Sequence, residues 1–293
     1  METVYADAPP SDGSDRAVNL IDLHTHSTTS DGTLSPGALV RDAASIGLRT
    51  LALTDHDTID GVPEAMAAGR ETGVEIIPGV ELGTSVERRE HHILGYFVDI
   101  DDTSFQAALV DLAARRMRRA ETMIARLAGI GVTVPLAEVL REAGHGTVGR
   151  PHLARVLIRH GHATSVEDAF DRYLKHGQPA YVPREPFLPE EAIALVRSAG
   201  GVPVLAHPLS TGDPETAVAR LRPAGLGGLE VYYGEYDDDT RHTLRLLADR
   251  VGLIPTGGSD FHGPGYRAGR KLGGAPVPAD TVDRLRDAAR LVR

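Results

Sequence analysis

Residues 20 to 32 read Leu-Ile-Asp-Leu-His-Thr-His-Ser-Thr-Thr-Ser-Asp-Gly. A short apolar run ends in His24 and His26, and because side chains alternate along a strand, residues two apart face the same way. The spacing therefore predicts that both imidazoles reach one ion. Asp31 follows in a Ser/Thr/Gly loop that can fold back over the strand end, and His with carboxylate suits a divalent transition metal. Alone, a His-x-His is more often two polar residues leaving a strand. Here the pattern repeats downstream.

Outward from this stretch, short β-rich runs at 20–24, 50–54, 75–81 and 92–98 alternate with helical patterns at 36–46 and 62–72. Ser35 before Pro36 is a good helix start, and Gly47 and Gly73 are good stops. The alternation returns late, with strands at 202–206, 228–232 and 253–256 and helices at 189–198, 214–221, 237–250 and 279–292. Seven strands with crossover helices predict a parallel α/β barrel one strand short of the eight-fold type.

Between the halves, over residues 102–182, the strand signal disappears. Leu109, Ala113, Met117, Ala120, Ile124 and Leu127 recur at helical spacing, and Gly129 and Gly131 end the pattern. Further helices are expected at 136–143, 151–160 and 165–175, the last opened by a capping box of Thr164 and Glu167. The expected organisation is a barrel domain of residues 19–101 and 183–293, interrupted by a helical insertion domain at 102–182.

Composition narrows the chemistry. The 293 residues can bury a large core, and 31 Lys+Arg against 41 Asp+Glu give a net charge of -10. That balance excludes a bulk basic surface for duplex DNA. With no cysteine, disulfides, thiolate zinc sites and cysteine nucleophiles are excluded, so any metal must be held by His and carboxylate. No apolar run approaches the ~20 residues of a membrane span. Residues 1–18, rich in Pro, Asp and Ser, lack a secretory apolar core; a disordered tail and a cytoplasmic protein are expected.

Taken in order, the expected strand ends carry His24 and His26, then Asp55, His56 and Asp57, then Glu81, His207, and Asp260 with His262; His92 opens the fourth strand or precedes it. In parallel α/β barrels the C-terminal strand ends build the active site, so these residues are expected to converge on a multinuclear metal site.

Asp-Leu-His-Thr-His-Ser at 22–27, Thr-Asp-His-Asp-Thr at 54–58, Gly-Val-Glu at 79–81, His-Ile-Leu-Gly-Tyr at 92–96, Ala-His-Pro at 206–208 and Gly-Ser-Asp-Phe-His at 258–262 together resemble the motifs of the PHP (polymerase and histidinol phosphatase) family. The resemblance covers nearly everything after the tail. The helical region with Gly-Arg-Pro-His at 149–152 is similar to the branch that removes the 3'-phosphate of nucleoside 3',5'-bisphosphates, whose members also trim RNA or short oligonucleotides from the 5' end. The resemblance implies a distorted (β/α)7 barrel, the PHP fold, with a trinuclear centre. By motif, His24, His26, Glu81 and Asp260 would hold one ion, Asp31, His56 and His262 a second, and Glu81, His92 and His207 a third. Glu81 would bridge, and Glu81 and Asp260 are counted among the catalytic residues. His91 is expected to point away from His92.

Charge bookkeeping supports a phosphate substrate separately. Three carboxylates, Asp31, Glu81 and Asp260, against three divalent ions leave a net positive spot in an acidic protein. Metal coordination brings the pKa of water toward neutrality, so a metal-bound hydroxide is the expected nucleophile. Manganese is the expected metal, with iron, zinc or magnesium also compatible with the donor set. Asp55 and Asp57 flank His56 and are candidates to orient it. Pro151 suits the first position of a helix, which would turn free N–H groups, Arg150 and His152 toward an anion, making Arg150 and His152 the expected substrate-binding and catalytic pair outside the metals. Arg115, Arg119 and Arg126 are expected to form a solvated face. The reading is a metal-dependent phosphoesterase acting on small nucleotides or short oligonucleotides. The alternatives are another phosphomonoesterase of the family, such as histidinol phosphatase, and a non-catalytic metal-binding module.

Overall fold

The structure, a computed structural model, describes residues 20–86, 89–144, 146–264, 266 and 269–292. The tail expected at residues 1–18 lies outside the described residues. Seven strands form one sheet in sequence order: β1 (Ile21–Thr25), β2 (Thr50–Leu53), β3 (Glu75–Val86), β4 (Arg89–Tyr96), β5 (Val202–Leu205), β6 (Gly228–Tyr233) and β7 (Ile254–Gly258). A parallel bridge of Thr25 to Phe261 and the His26 N–H donated to the Phe261 carbonyl at 2.9 Å bring the ends of the sheet together. The result is a nearly closed, distorted barrel.

Helices α1 (Pro36–Ser45) and α2 (Val62–Thr72) occupy the first crossovers; α7 (Pro189–Ser198), α8 (Pro214–Leu221), α9 (Asp238–Val251) and α10 (Thr281–Val292) belong to the second half. Their starts follow from local chemistry. The Ser35 hydroxyl accepts the Ala38 N–H at 3.2 Å and the Asp237 carboxylate accepts the Thr240 N–H at 2.9 Å, each satisfying a donor that the helix leaves free.

One expectation fails. The barrel is mixed, because β4 is antiparallel to both β3 and β5. Only residues 87 and 88 separate β3 from β4, and a two-residue link makes a hairpin, whereas a parallel crossover needs a dozen residues or more. The hairpin also runs past the point where the sequence pattern ended, pairing Glu81 with Leu94 and Gly83 with His92. Glu81 and His92 are thus mid-strand residues.

The middle of the chain is helical: α3 (Thr103–Gly129), α4 (Leu136–Ala143), α5 (Arg150–Arg159) and α6 (Val166–Ala169), which continues into a π-turn at Phe170–Leu174. The last helix is capped one residue later than expected, by the Ser165 hydroxyl accepting the Asp168 N–H. The middle of the chain has its own apolar cluster, with Met123, Leu127, Leu153, Leu157 and Leu174 at its centre. The first turns of α3 belong elsewhere: Phe105, Leu109 and Leu112 pack into the barrel's outer core against α7. A single 27-residue helix therefore ties the two clusters together. Among the described residues no helix is long and apolar enough to cross a membrane.

Candidate metal centre

The nine residues expected as metal ligands converge on one end of the barrel. His24 lies one residue before the end of β1 with its ring buried, and His26 follows just beyond the strand. His24 Nε2 lies 3.2 Å from Glu81 Oε2 and 3.5 Å from Asp260 Oδ1, and His26 Nε2 lies 3.2 Å from each of the same two oxygens. Four donor atoms around an ion at bonds of about 2.1 Å stand about 3.0 to 3.4 Å apart, so these separations are those of a shared coordination sphere. His26, Asp31, His56 and His262 form a second, looser group, and His56, Glu81 and His92 a third, the ligand atoms of each lying within 4.8 Å of one another. His207 Nε2 stands 3.0 Å from Glu81 Oε1, outside the tightest third set, in which His56 takes its place.

The donor set fits metal binding on chemistry as well as distance. His26 Nε2, His56 Nδ1 and His92 Nε2 are buried nitrogens with no hydrogen-bond partner, although carboxylate oxygens stand close by. Buried polar atoms are normally paired, and three unpaired ones in one cluster mark a place for a ligand. The charge state agrees. Burial favours the neutral acids, yet the imidazoles of His262 and His56 hold the Asp31 carboxyl well below the usual carboxylate range, and those of His56, His92 and His24 do the same for Glu81. Burial likewise opposes ionisation of Asp260, but Arg270 and His24 keep it ionised. In return, His26 is lifted to about 9 against its own burial by Asp260 and Glu81, and His24 is raised well above its ordinary value, also against burial, by Glu230, Asp260 and Glu81. His56, where burial dominates, is pushed down to about 3.

A surrounding layer fixes these groups, and much of it was not read from the sequence. Glu230 on β6 accepts from His24 Nδ1 at 2.8 Å and from the His207 backbone N–H at 2.5 Å. The signal was a lone carboxylate in the apolar run Gly-Leu-Glu-Val-Tyr-Tyr. Tyr233 donates its hydroxyl to Asp260 Oδ2 at 2.7 Å, and Arg270 reaches the same oxygen at 2.7 Å, leaving Oδ1 to the cluster. His207 and Asp260 have left-handed backbones, φ 25° and 53°, a conformation that costs about 1 to 3 kcal/mol for such residues and persists only where neighbours impose it. The Glu230, Tyr233 and Arg270 contacts impose it here.

Asp55 and Asp57 do not orient His56. Asp55 accepts from the Ser27 N–H at 2.8 Å, the Ser27 hydroxyl at 2.6 Å and the Ser30 hydroxyl at 2.5 Å, which shapes the loop that carries Asp31. Asp57 accepts the Gly83 N–H at 2.9 Å and forms a buried ion pair with Arg116. His91 sits on the opposite face of β4, its Nδ1 3.2 Å from the Arg89 carbonyl.

The cluster opens into a cavity of about 710 Å3 whose far wall is cationic: Arg116, Arg119, Arg150 and Arg184 all line it. Arg150 heads α5, as expected, with its guanidinium 5.3 Å from the Phe170 ring centre and 2.8 Å from Glu90. His152 differs from its neighbour. Its ring is buried and Nδ1 accepts the Gly149 N–H at 2.9 Å, so it closes the first turn of α5 and does not line the cavity. The row Arg115, Arg119, Arg126 divides: Arg115 pairs with Asp111 outside and Arg126 donates to the Tyr181 carbonyl, whereas Arg119 is turned into the cavity. Arg116 interrupts an apolar stripe at helical spacing, a signal that was present and unread.

Comparison with known proteins places this geometry. A model described as "PHP domain" matches residues 22–181. The chain is 37% identical over 258 residues to the 3',5'-nucleoside bisphosphate phosphatase of Chromobacterium violaceum, covering 86% of this chain and 90% of that protein. It is 37% identical over 261 residues to the 5'-3' exoribonuclease Rnm of Escherichia coli, covering 86% and 89%. A crystal structure from Bifidobacterium adolescentis, described as a metal-dependent phosphoesterase, superposes with a TM-score of 0.84 at 32% identity, covering 92% of this chain and 96% of that one.

Proposed function

Since the chain belongs to the PHP-domain family, we propose that it is a metal-dependent phosphoesterase that removes the 3'-phosphate of nucleoside 3',5'-bisphosphates and trims short RNA from the 5' end. The observation that carries this reading is a single cavity with two regions suited to anions: a His and carboxylate cluster that divalent ions would make positive, and a wall of buried and half-buried arginines. A nucleotide bearing two phosphates matches that spacing of charge; a simple phosphomonoester uses only one end.

The proposed centre holds three divalent ions, with manganese the first candidate. His24, His26, Glu81 and Asp260 would hold one, Asp31, His56 and His262 a second, and Glu81, His92 and His207 a third. Bound there, the ions would polarise a phosphoryl group and acidify a water molecule. The protein's part is to hold and exclude. Glu230 accepts the Nδ1 proton of His24, so that the Nε2 lone pair faces inward. Tyr233 and Arg270 pin one oxygen of Asp260 and keep the other free for the centre. Burial of the carboxylates removes competing water, which strengthens every charge interaction with an incoming phosphate. Across the cavity Arg150 is the proposed contact to the second phosphate, and His152 is a positioning residue that fixes the turn on which Arg150 stands.

The test is phosphate release from a panel: a nucleoside 3',5'-bisphosphate, a nucleoside 3'-phosphate, histidinol phosphate, p-nitrophenyl phosphate and a 5'-phosphorylated trinucleotide, each with and without manganese. The reading expects metal-dependent turnover with the bisphosphate preferred. Preference for histidinol phosphate moves the chain to another activity of the family, and no turnover with metal bound leaves a binding module.

A further inference from the structure

Two of the three ligands proposed for the second ion, Asp31 and His56, are held through their backbones by the helical middle of the chain. Arg155 on α5 donates from Nη2 to the Asp31 carbonyl at 2.5 Å, and the Thr147 hydroxyl donates to the His56 carbonyl at 2.8 Å. Thr147 also donates its backbone N–H to the Thr29 carbonyl at 3.0 Å. The two segments touch backbone to backbone at Gly146, where a Cβ would stand 2.6 Å from the carbonyl oxygens of Thr28 and Thr29. Residues 146–155 thus form one strap across the Asp31 loop, with Arg150 in its middle. The ligands of the other proposed ions take their fixing from the barrel. Glu81 and His92 lie in the paired hairpin, and the His92 carbonyl accepts the Ala206 N–H at 3.0 Å. Glu230 holds His24 and the His207 backbone, and Tyr233 and Arg270 hold Asp260.

We infer that this strap completes the Asp31–His56 ion site, with Arg155 and Thr147 as positioning residues for that ion and for no other. The inference rests on the reading of the centre as a site for several ions. Asp31 sits in a loop, with no strand pairing to aim its carboxylate. The Asp55 contacts hold Ser27 and Ser30 in that loop, but the Asp31 carbonyl itself is reached by Arg155. The sign of the charge separates position from electrostatics. A guanidinium beside a metal ligand repels a nearby divalent ion, so by Coulomb's law alone Arg155 weakens metal binding. What it contributes is a fixed carbonyl, and with it the direction of the ligand that follows from that backbone. Thr147 does the same at His56, just before Asp57, whose backbone is left-handed at φ 52°. Because Arg150 stands between Thr147 and Arg155, one ion of the centre and the turn proposed to meet the second phosphate share a single element. A displaced strap loses both.

The test counts manganese bound per chain by equilibrium dialysis over a range of free metal, for wild-type protein, Arg155→Ala, Thr147→Val, Thr147→Ser, Asp31→Ala and the double variant Asp31→Ala/Arg155→Ala. Melting temperatures in chelator establish that each is folded, and the two strap positions are independent should one variant fail to fold. Arg155→Ala and Thr147→Val should each weaken one ion by about tenfold or more and leave the others within about threefold, and Thr147→Ser, which keeps the hydroxyl, should bind as wild-type does. A pure charge effect has the opposite sign, tighter binding of every ion in Arg155→Ala. The double variant should bind manganese as Asp31→Ala does, because the ion that Arg155 serves is already gone. Unchanged affinity in both strap variants, an even loss across all ions, or a further ion lost in the double variant overturns the role of the strap. If wild-type protein never holds more than one ion, the multinuclear reading falls and takes the strap with it; several ions in wild-type protein with intact binding in the variants sinks the strap alone.

Discussion

Glu230 and His24 lie 206 residues apart in the chain and meet at 2.8 Å, both side chains fully buried. The contact sets which ring nitrogen of His24 is free for an ion. Removal of such a partner commonly costs 10- to 100-fold in metal affinity. Glu230→Gln should therefore weaken manganese binding by about tenfold or more at unchanged secondary structure, read by competition with a fluorescent chelator. Equal affinity in the two proteins would make the contact one of packing alone.

Asp31 reaches His262 at 3.3 Å and His56 at 3.7 Å from three separate segments. Asp31→Ala should retain the fold and lose one ion, counted by elemental analysis of reconstituted protein. A wild-type protein that never binds more than one ion per chain contradicts the multinuclear assignment.

Metal binding should strengthen as pH rises. In the metal-free centre His26 titrates near 9, raised above its ordinary 6.5, so at neutral pH an incoming ion must displace its proton. The stabilisation of the metal-free fold by charged His26 is complete below about pH 6.5 and is lost as pH passes through about 9. Asp31, Glu81 and Asp260 act in the opposite sense, their contribution being lost only as pH falls through their depressed values. Melting curves in chelator should thus fall between pH 7 and 9, while those in excess manganese hold level or rise. Parallel curves would mean that no proton is released on binding.

On the proposed function, Arg150→Ala should remove a charge-assisted contact to the second phosphate of about 2 kcal/mol, which corresponds to about 30-fold in kcat/KM on a nucleoside bisphosphate. The loss on p-nitrophenyl phosphate should be much smaller, since that ester has nothing for Arg150 to hold. Equal losses on both would bring Arg150 to the reacting phosphate.

The residues read correctly as converging were those whose local pattern carries its own geometry. The alternation of His24 and His26 needs only strand periodicity, and Glu81, His207 and Asp260 follow apolar runs that had to be buried strands. The hairpin was misjudged because the run after Glu81, Leu-Gly-Thr-Ser-Val, is as polar as a loop; pairing with β4 makes it a strand. Glu230, Arg116 and Glu90 were missed for a shared reason. Each owes its place to a partner distant in sequence: Glu230 to His24, Arg116 to Asp57, Glu90 to Arg150. Single-segment reasoning places a charged residue on a surface by default, and the energetic case for burying it exists only once the fold has brought its counter-charge.

The β3–β4 hairpin has a bearing on how this chain can vary. Glu81, Glu90 and His92 all belong to it, and their mutual placement depends on the pairing of Gly83 with His92. Because strand side chains alternate, a slip of one residue would turn Val80 or Leu82 inward in place of Glu81 and exchange His92 for His91. The hairpin behaves as a ruler that fixes the metal cluster and the arginine wall in one count. A residue gained or lost within the paired segments Glu81–Val86 or Arg89–His92 would misalign both ends of the cavity at a stroke.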